Sequence, residues 1–184
     1  MILNKSDLIE YLECDKKALG RKRKRPAFHD YIWRYEILLR KCEYYSNVHS
    51  IWGGVYSLFL KYRRKRLGLL CGFSIPNNCT GKGLCLAHIG SIVISEYASI
   101  GENCRIHVGV NIGADARVSN AAPRIGNNVY IGPGAKLFGG IEIADNIAVG
   151  ANAVVNKSFS EKGISIAGIP AKKIGDQGSK GILF

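Results

Sequence analysis

From residue 94 to residue 155 the aliphatic positions recur every six residues. Ile94, Ile100, Ile106 and Ile112 form one series, and Ile125, Ile131, Leu137, Ile143, Val149 and Val155 form a second. An α-helix repeats at 3.6 residues and an ordinary strand at 2, so neither explains a step of six. The step between the two series is thirteen, one more than two repeats, which predicts an excursion of the chain around residues 114–123. Gly often follows the aliphatic (Gly101, Gly113, Gly126, Gly132 and Gly150), and small or aliphatic residues such as Ala98, Cys104, Val110, Val129 and Ala153 stand two before it. A hexapeptide period belongs to a parallel β-helix, in which each repeat supplies one short strand and one corner. Three repeats close a triangular coil, and coils stack at the strand spacing of roughly 4.8 Å. The recurring aliphatics then fill the inside of the prism.

Before residue 70 the pattern is helical. Ser6 can cap a helix from Asp7 toward Ala18, with Gly20 as its stop. RKRKR at 21–25 and Pro26 read as a solvated connector. Residues 27–46 carry Ile32, Tyr35, Leu38, Leu39 and Cys42 near helical spacing. Residues 48–66 carry Ile51, Val55, Leu58 and Tyr62 at steps of four, three and four, weakened locally by Gly53–Gly54. The expected division is an α-helical region over 1–70, a hexapeptide-repeat domain over 71–168 and a C-terminal tail over 169–184.

Composition adds constraints. The chain has 184 residues, 47% of them hydrophobic, so it can build a real core. A net charge of +12 points to anionic partners or to a solvated basic surface. Six Cys occur with no CxxC pair and no zinc spacing, and the opening residues carry no apolar signal core. Free thiols in a reducing, cytoplasmic setting are expected, without a metal. Cys85 is a possible nucleophile, but a Cys in an apolar run is far more often buried filler. No stretch reaches the roughly 20 apolar residues of a membrane span. IWGGVYSLFL followed by KYRRKR reads as a helix packed on its own domain, or as one touching an anionic membrane at its inner face. Nucleic acid is not expected, because no stacking platform accompanies the charge.

The stretches GLCLAHIGSIVISEYASIGENCRIHVGVNIG (83–113), PRIGNNVYIGPGAKLFGGIEIADNIAVGANAVV (123–155) and IAGIPAKKIG (166–175) resemble the left-handed β-helix acyltransferases. Within these they look like serine acetyltransferase and the capsule-locus proteins often named after it. The resemblance implies a mainly β fold, a left-handed parallel β-helix with an α-helical N-terminal region. It also implies acetyl-CoA as co-substrate, no required metal, and a homotrimer with CoA in the cleft between neighbouring copies. His88 falls at the family's catalytic His and is expected to be the general base, since an imidazole suits proton removal at neutral pH. His107, nineteen residues on, is expected beside it as an acceptor-binding or catalytic group, with Glu96 and Asp115 as nearby acids. His29 and His49 are expected in helices, away from the site. The family's CoA-contacting turns fall at Ala114, Pro133 and Ala151, with Lys157, Lys172 and Lys173 as candidate phosphate partners.

The pattern also departs from serine acetyltransferase. Ala87 precedes His88 where an Asp is expected, and Phe73 occupies the place of the paired acid. Ala121 and Ala122 stand where an Arg-His pair would hold the serine carboxylate. A lost charge partner weakens binding. The expected acceptor is therefore a sugar hydroxyl, on a polysaccharide, sugar nucleotide or lipid-linked oligosaccharide. The alternatives are a serine O-acetyltransferase of cysteine biosynthesis and a non-catalytic scaffold binding membrane or nucleic acid.

Overall fold

The computed structural model describes residues 1–48, 51–118 and 120–183, of which 51–53 by backbone alone. Three helices open the chain: α1 (Lys5–Ala18), α2 (Tyr31–Asn47) and α3 (Ile51–Cys71). The strands follow as β1 (Phe73–Ser74), β2 (Cys85–Leu86), β3 (Ile92–Ile94), β4 (Ser99–Ile100), β5 (Arg105–Ile106), β6 (Asn111–Gly113) and β7 (Arg124–Ile125). Then come β8 (Tyr130–Ile131), β9 (Lys136–Phe138), β10 (Glu142–Ile143), β11 (Ala148–Val149), β12 (Val154–Val155), β13 (Ser165–Gly168) and β14 (Ala171–Gly175).

Among the described residues these strands sort into three sheets, ordered β1-β3-β6-β9-β12, β4-β7-β10 and β2-β5-β8-β11-β13-β14. The chain visits the sheets in rotation, and every pairing is parallel except that of β13 with β14, which returns along it. The period of six follows directly. Ile94, Ile112, Leu137 and Val155 align across the first sheet. Ile100, Ile125 and Ile143 align across the second. Leu86, Ile106, Ile131, Val149 and Ile166 align across the third. All ten residues of the two periodic series are buried. Each column buries one aliphatic per coil, worth about 1.5–3 kcal/mol per side chain. The excursion that breaks the count lies between the end of β6 at Gly113 and the start of β7 at Arg124.

The corners are built for tight turning. Asn103, Asn128 and Asn146 all adopt positive φ, and their amides form a ladder, Asn103 donating to Asn128 at 3.3 Å and Asn128 to Asn146 at 3.1 Å. Asn accepts the left-handed region at low cost. The C-terminal segment seals this ladder: the Ser179 hydroxyl donates to the Asn128 carbonyl at 2.6 Å.

The helices close the open end of the stack. At β2, the N–H groups of Cys85 and Ala87 bond to the neighbouring coil, whereas those of Leu84 and Leu86 face away from it. Asp15 accepts from Leu84 N–H at 2.9 Å and Glu36 from Leu86 N–H at 3.0 Å, while Glu43 accepts from Asn78 N–H at 2.9 Å. Side-chain carboxyl oxygens thus stand in for the carbonyls of a missing coil, protecting an edge that would otherwise lie unpaired. Arg40, fully buried, joins them: it donates to Asp15 at 2.6 Å, Glu43 at 3.1 Å and the Gly81 carbonyl at 2.6 Å. Burial works against its charge, but Asp15 and Glu43 outweigh it and hold the guanidinium above its usual pKa. Removing one partner from such a buried set costs about 3–5 kcal/mol. At Gly68 a Cβ would lie 2.8 Å from the Phe73 carbonyl oxygen, so glycine is what lets α3 approach β1.

Three local expectations are corrected. The cap of α1 is Asn4, whose side chain accepts from Asp7 N–H at 2.9 Å, so the helix starts two residues earlier than Ser6 implies. His29 lies exposed in the turn before α2 rather than in a helix. The apolar series Val55, Leu58 and Tyr62 faces solvent, and the buried face of α3 is Ser57, Leu60, Leu67 and Cys71. His49 lies outside the described residues. All six Cys are free, and burial pushes the Cys85 thiol up to about 11, unsuited to a nucleophile.

Candidate active site

The register of the third sheet brings two imidazoles together. Leu86 pairs with Ile106, so His88 occupies the corner just past β2 and His107 the outward position just past β5. Their ring centroids are 5.6 Å apart. Tyr130, on the next strand, contacts His107 from the other side at 5.0 Å. His88 is exposed, whereas His107 is half-buried and its Nε2 is buried without a hydrogen-bond partner. Burial, then the nearby Arg105 and His88, lowers the His107 pKa. Its imidazole is therefore neutral at neutral pH, with ring-nitrogen capacity left for an incoming hydroxyl. Arg105 stands two residues before His107, on the same outward face of the coil.

The candidate acids lie elsewhere. Asp115 accepts from Arg117 N–H at 2.8 Å inside its own loop, and Glu96 is exposed at the corner after Ile94. Ala87 and Phe73 supply no carboxylate. Tyr130 and Arg105 are not marked by the period of six. Both are outward strand residues beside a core aliphatic, and the aligned columns at Ile106 and Ile131 were the signal that could have found them.

The cofactor candidates divide between edges. His88, Pro133 and Ala151 each stand two residues past an aligned aliphatic of the third sheet, so they share one corner of the stack. Ala114 and Lys157 stand two past Ile112 and Val155 of the first sheet, on a different corner. Lys157 is exposed, its ammonium 5.5 Å from the Phe159 ring centroid. Lys172 is exposed on β14, but Lys173 is engaged by Glu161 and Asp176, each at 2.6 Å, which weakens it as a phosphate partner. Among the described residues no cluster of His, Cys, Asp or Glu is arranged to hold a metal.

No family model matches the chain. Individual relatives do. A serine acetyltransferase of Mycobacterium tuberculosis is 33% identical over 142 residues, covering 71% of this chain and 62% of that protein. The chain thus spans about three-fifths of the length of that relative. A serine acetyltransferase of Staphylococcus epidermidis is 30% identical over 147 residues, covering 74% of this chain and 68% of its own length. Among solved structures, Brucella abortus serine acetyltransferase in complex with coenzyme A superposes with a TM-score of 0.73 at 26% identity, over 95% of this chain and 70% of that one. These relatives correct two expectations, the sugar hydroxyl as acceptor and the capsule or polysaccharide type of enzyme. Ala121 and Ala122 are two positions, whereas the similarity is spread along most of the chain. The extent of that similarity, helices and coils together, is enough to say that the chain belongs to the serine acetyltransferase family.

Proposed function

We propose that this protein is an acetyl-CoA-dependent serine O-acetyltransferase, built on a left-handed parallel β-helix. The observation that carries the reading is the exposed His88 beside the neutral, half-buried His107 on one corner of the coil stack. His88 takes the proton of the serine hydroxyl as its oxygen attacks the acetyl thioester carbon. The tetrahedral intermediate then collapses, the C–S bond breaks, and the CoA thiolate recovers the proton from the His88 imidazolium. His107 and Tyr130 stand where they can orient the attacking hydroxyl or the developing oxyanion. No metal enters this scheme. Arg105, beside His107, is the cation we assign to the serine carboxylate in place of the pair absent at Ala121 and Ala122.

The division of the cofactor candidates supports a shared site. A groove between two copies in a homotrimer would set the His88 corner of one against the Ala114 corner of the next. Pantetheine would then run down the His88 corner past Pro133 and Ala151, with the phosphates toward Lys157 and Lys172. Purified protein given acetyl-CoA and L-serine should release CoA thiol and form O-acetylserine. His88→Ala should lower this rate about 10²–10⁴-fold. Absence of O-acetylserine with the wild-type chain would refute the reading, and full turnover by the variant would remove His88 as base.

A further inference from the structure

α3 presents an outward surface to which the proposed reaction gives no role. Val55, Leu58, Phe59, Tyr62, Leu69 and Leu70 are each between 52% and 76% exposed. On a helix of 3.6 residues per turn they fall within a sector of about 120°. Lys61 and Lys65 border that sector on one side and Arg63 on the other, with Arg66 inside it; all four are exposed. Arg63 lies 5.6 Å from the Phe59 ring centroid. Residues 51–71 contain no Asp or Glu. The opposite face, with Leu60, Leu67 and Cys71, is already buried against the rest of the protein, so the outward apolar stripe does not serve the core.

We infer that α3 lays this outward face into the surface of an anionic lipid bilayer, as a peripheral contact. An apolar stripe edged by cations, free of carboxylates, matches an interface of acyl chains bordered by negative headgroups. A second copy fits less well. Packing the stripe against itself about a symmetry axis would oppose the same four cations with no acid on the helix to neutralise them. A span is excluded by polarity, since α3 carries Lys61, Arg63, Arg64, Lys65 and Arg66, and among the described residues no helix is long and apolar enough to cross a membrane. The proposed reaction uses none of these side chains, although the end of α3 adjoins the His88 corner, where Gly90 N–H donates to the Cys71 carbonyl at 2.9 Å.

Co-flotation of the full chain with vesicles tests it. The protein should float with phosphatidylcholine vesicles containing one-third phosphatidylglycerol, should not float with phosphatidylcholine alone, and should be released by high salt. Leu58→Glu with Phe59→Glu should lower the bound fraction at least about tenfold, with thermal unfolding and serine acetylation unchanged. Neutralising the connector by Arg23→Gln, Lys24→Gln and Arg25→Gln should leave most binding in place. Failure of the wild type to float would overturn the inference, as would retention by the double variant or loss of binding on neutralising the connector alone. A double variant that instead splits a larger assembly in light scattering, without affecting flotation, would make this face an interface between copies.

Discussion

In the proposed reaction, Arg105 is the residue on which acceptor choice turns. The expected carboxylate clamp is missing at Ala121 and Ala122, and neither alanine can hold a charge. Arg105 sits two residues before His107 on the same face and contributes to lowering its pKa, which places positive potential beside the two imidazoles. A charged hydrogen bond of this kind is worth about 1.5–3 kcal/mol. Arg105→Gln should therefore raise KM for L-serine tenfold or more, by about that energy at 1.4 kcal/mol per decade, with a smaller change in kcat. Steady-state kinetics at varied serine checks this, and an unchanged KM would move the carboxylate partner elsewhere. The closeness of His88 and His107 was legible because nineteen residues is near one coil of eighteen, but their register was not: the aligned coil runs twenty residues, Leu86 to Ile106, so His107 falls one position short of the alignment with His88 rather than one past it. Arg105 and Tyr130 were not legible, because an outward strand residue carries no periodic mark until the neighbouring coils are aligned.

At the level of elements, the joint between helices and coils is the least ordinary feature. Glu36 is fully buried; one oxygen accepts from Leu86 N–H while Oε2 has no hydrogen-bond partner. Burial, then the neighbouring Asp15, raises its pKa well above the usual carboxylate value. The folded state thus holds a proton that the unfolded chain has released, and stability falls as pH rises from the unfolded value, about 4.3, through the folded one. Glu36→Gln keeps an oxygen for Leu86 N–H and has no proton to lose. Its melting temperature should exceed that of the wild type at neutral pH, with the gap closing toward acid pH; parallel curves would rule out the buried proton. None of this was visible in the sequence, where Asp15, Glu36, Arg40 and Glu43 look like ordinary surface charges of helices. The face of α3 was misjudged for a related reason. Both sides of that helix carry apolar residues, and spacing alone does not say which side meets the core. The period of six was legible because a closed three-walled coil admits one repeat length and one inward position per wall.

On the scale of the whole molecule, the coil stack explains why one chain is not enough for the proposed site. Strand alignment fixes His88, Pro133 and Ala151 on one corner and Ala114 and Lys157 on another. Corners of a rigid prism cannot be brought together by local movement, because each column is locked by buried aliphatics in every coil. If CoA touches both sets, the second must come from a neighbouring copy. This makes complementation the decisive measurement. His88→Ala removes the base from one corner, and Ala114→Trp fills the cofactor groove from the other. Each variant alone should be inactive yet folded and of wild-type assembly size. Co-expressed in equal amounts, they should regain about a quarter of wild-type activity. A site is intact when its base comes from the Ala114→Trp chain and its groove from the His88→Ala chain, and each condition is met half the time in a closed cyclic assembly. Random mixing with no recovery would mean that base and groove belong to the same chain, and the cofactor would then have to lie along the His88 corner alone.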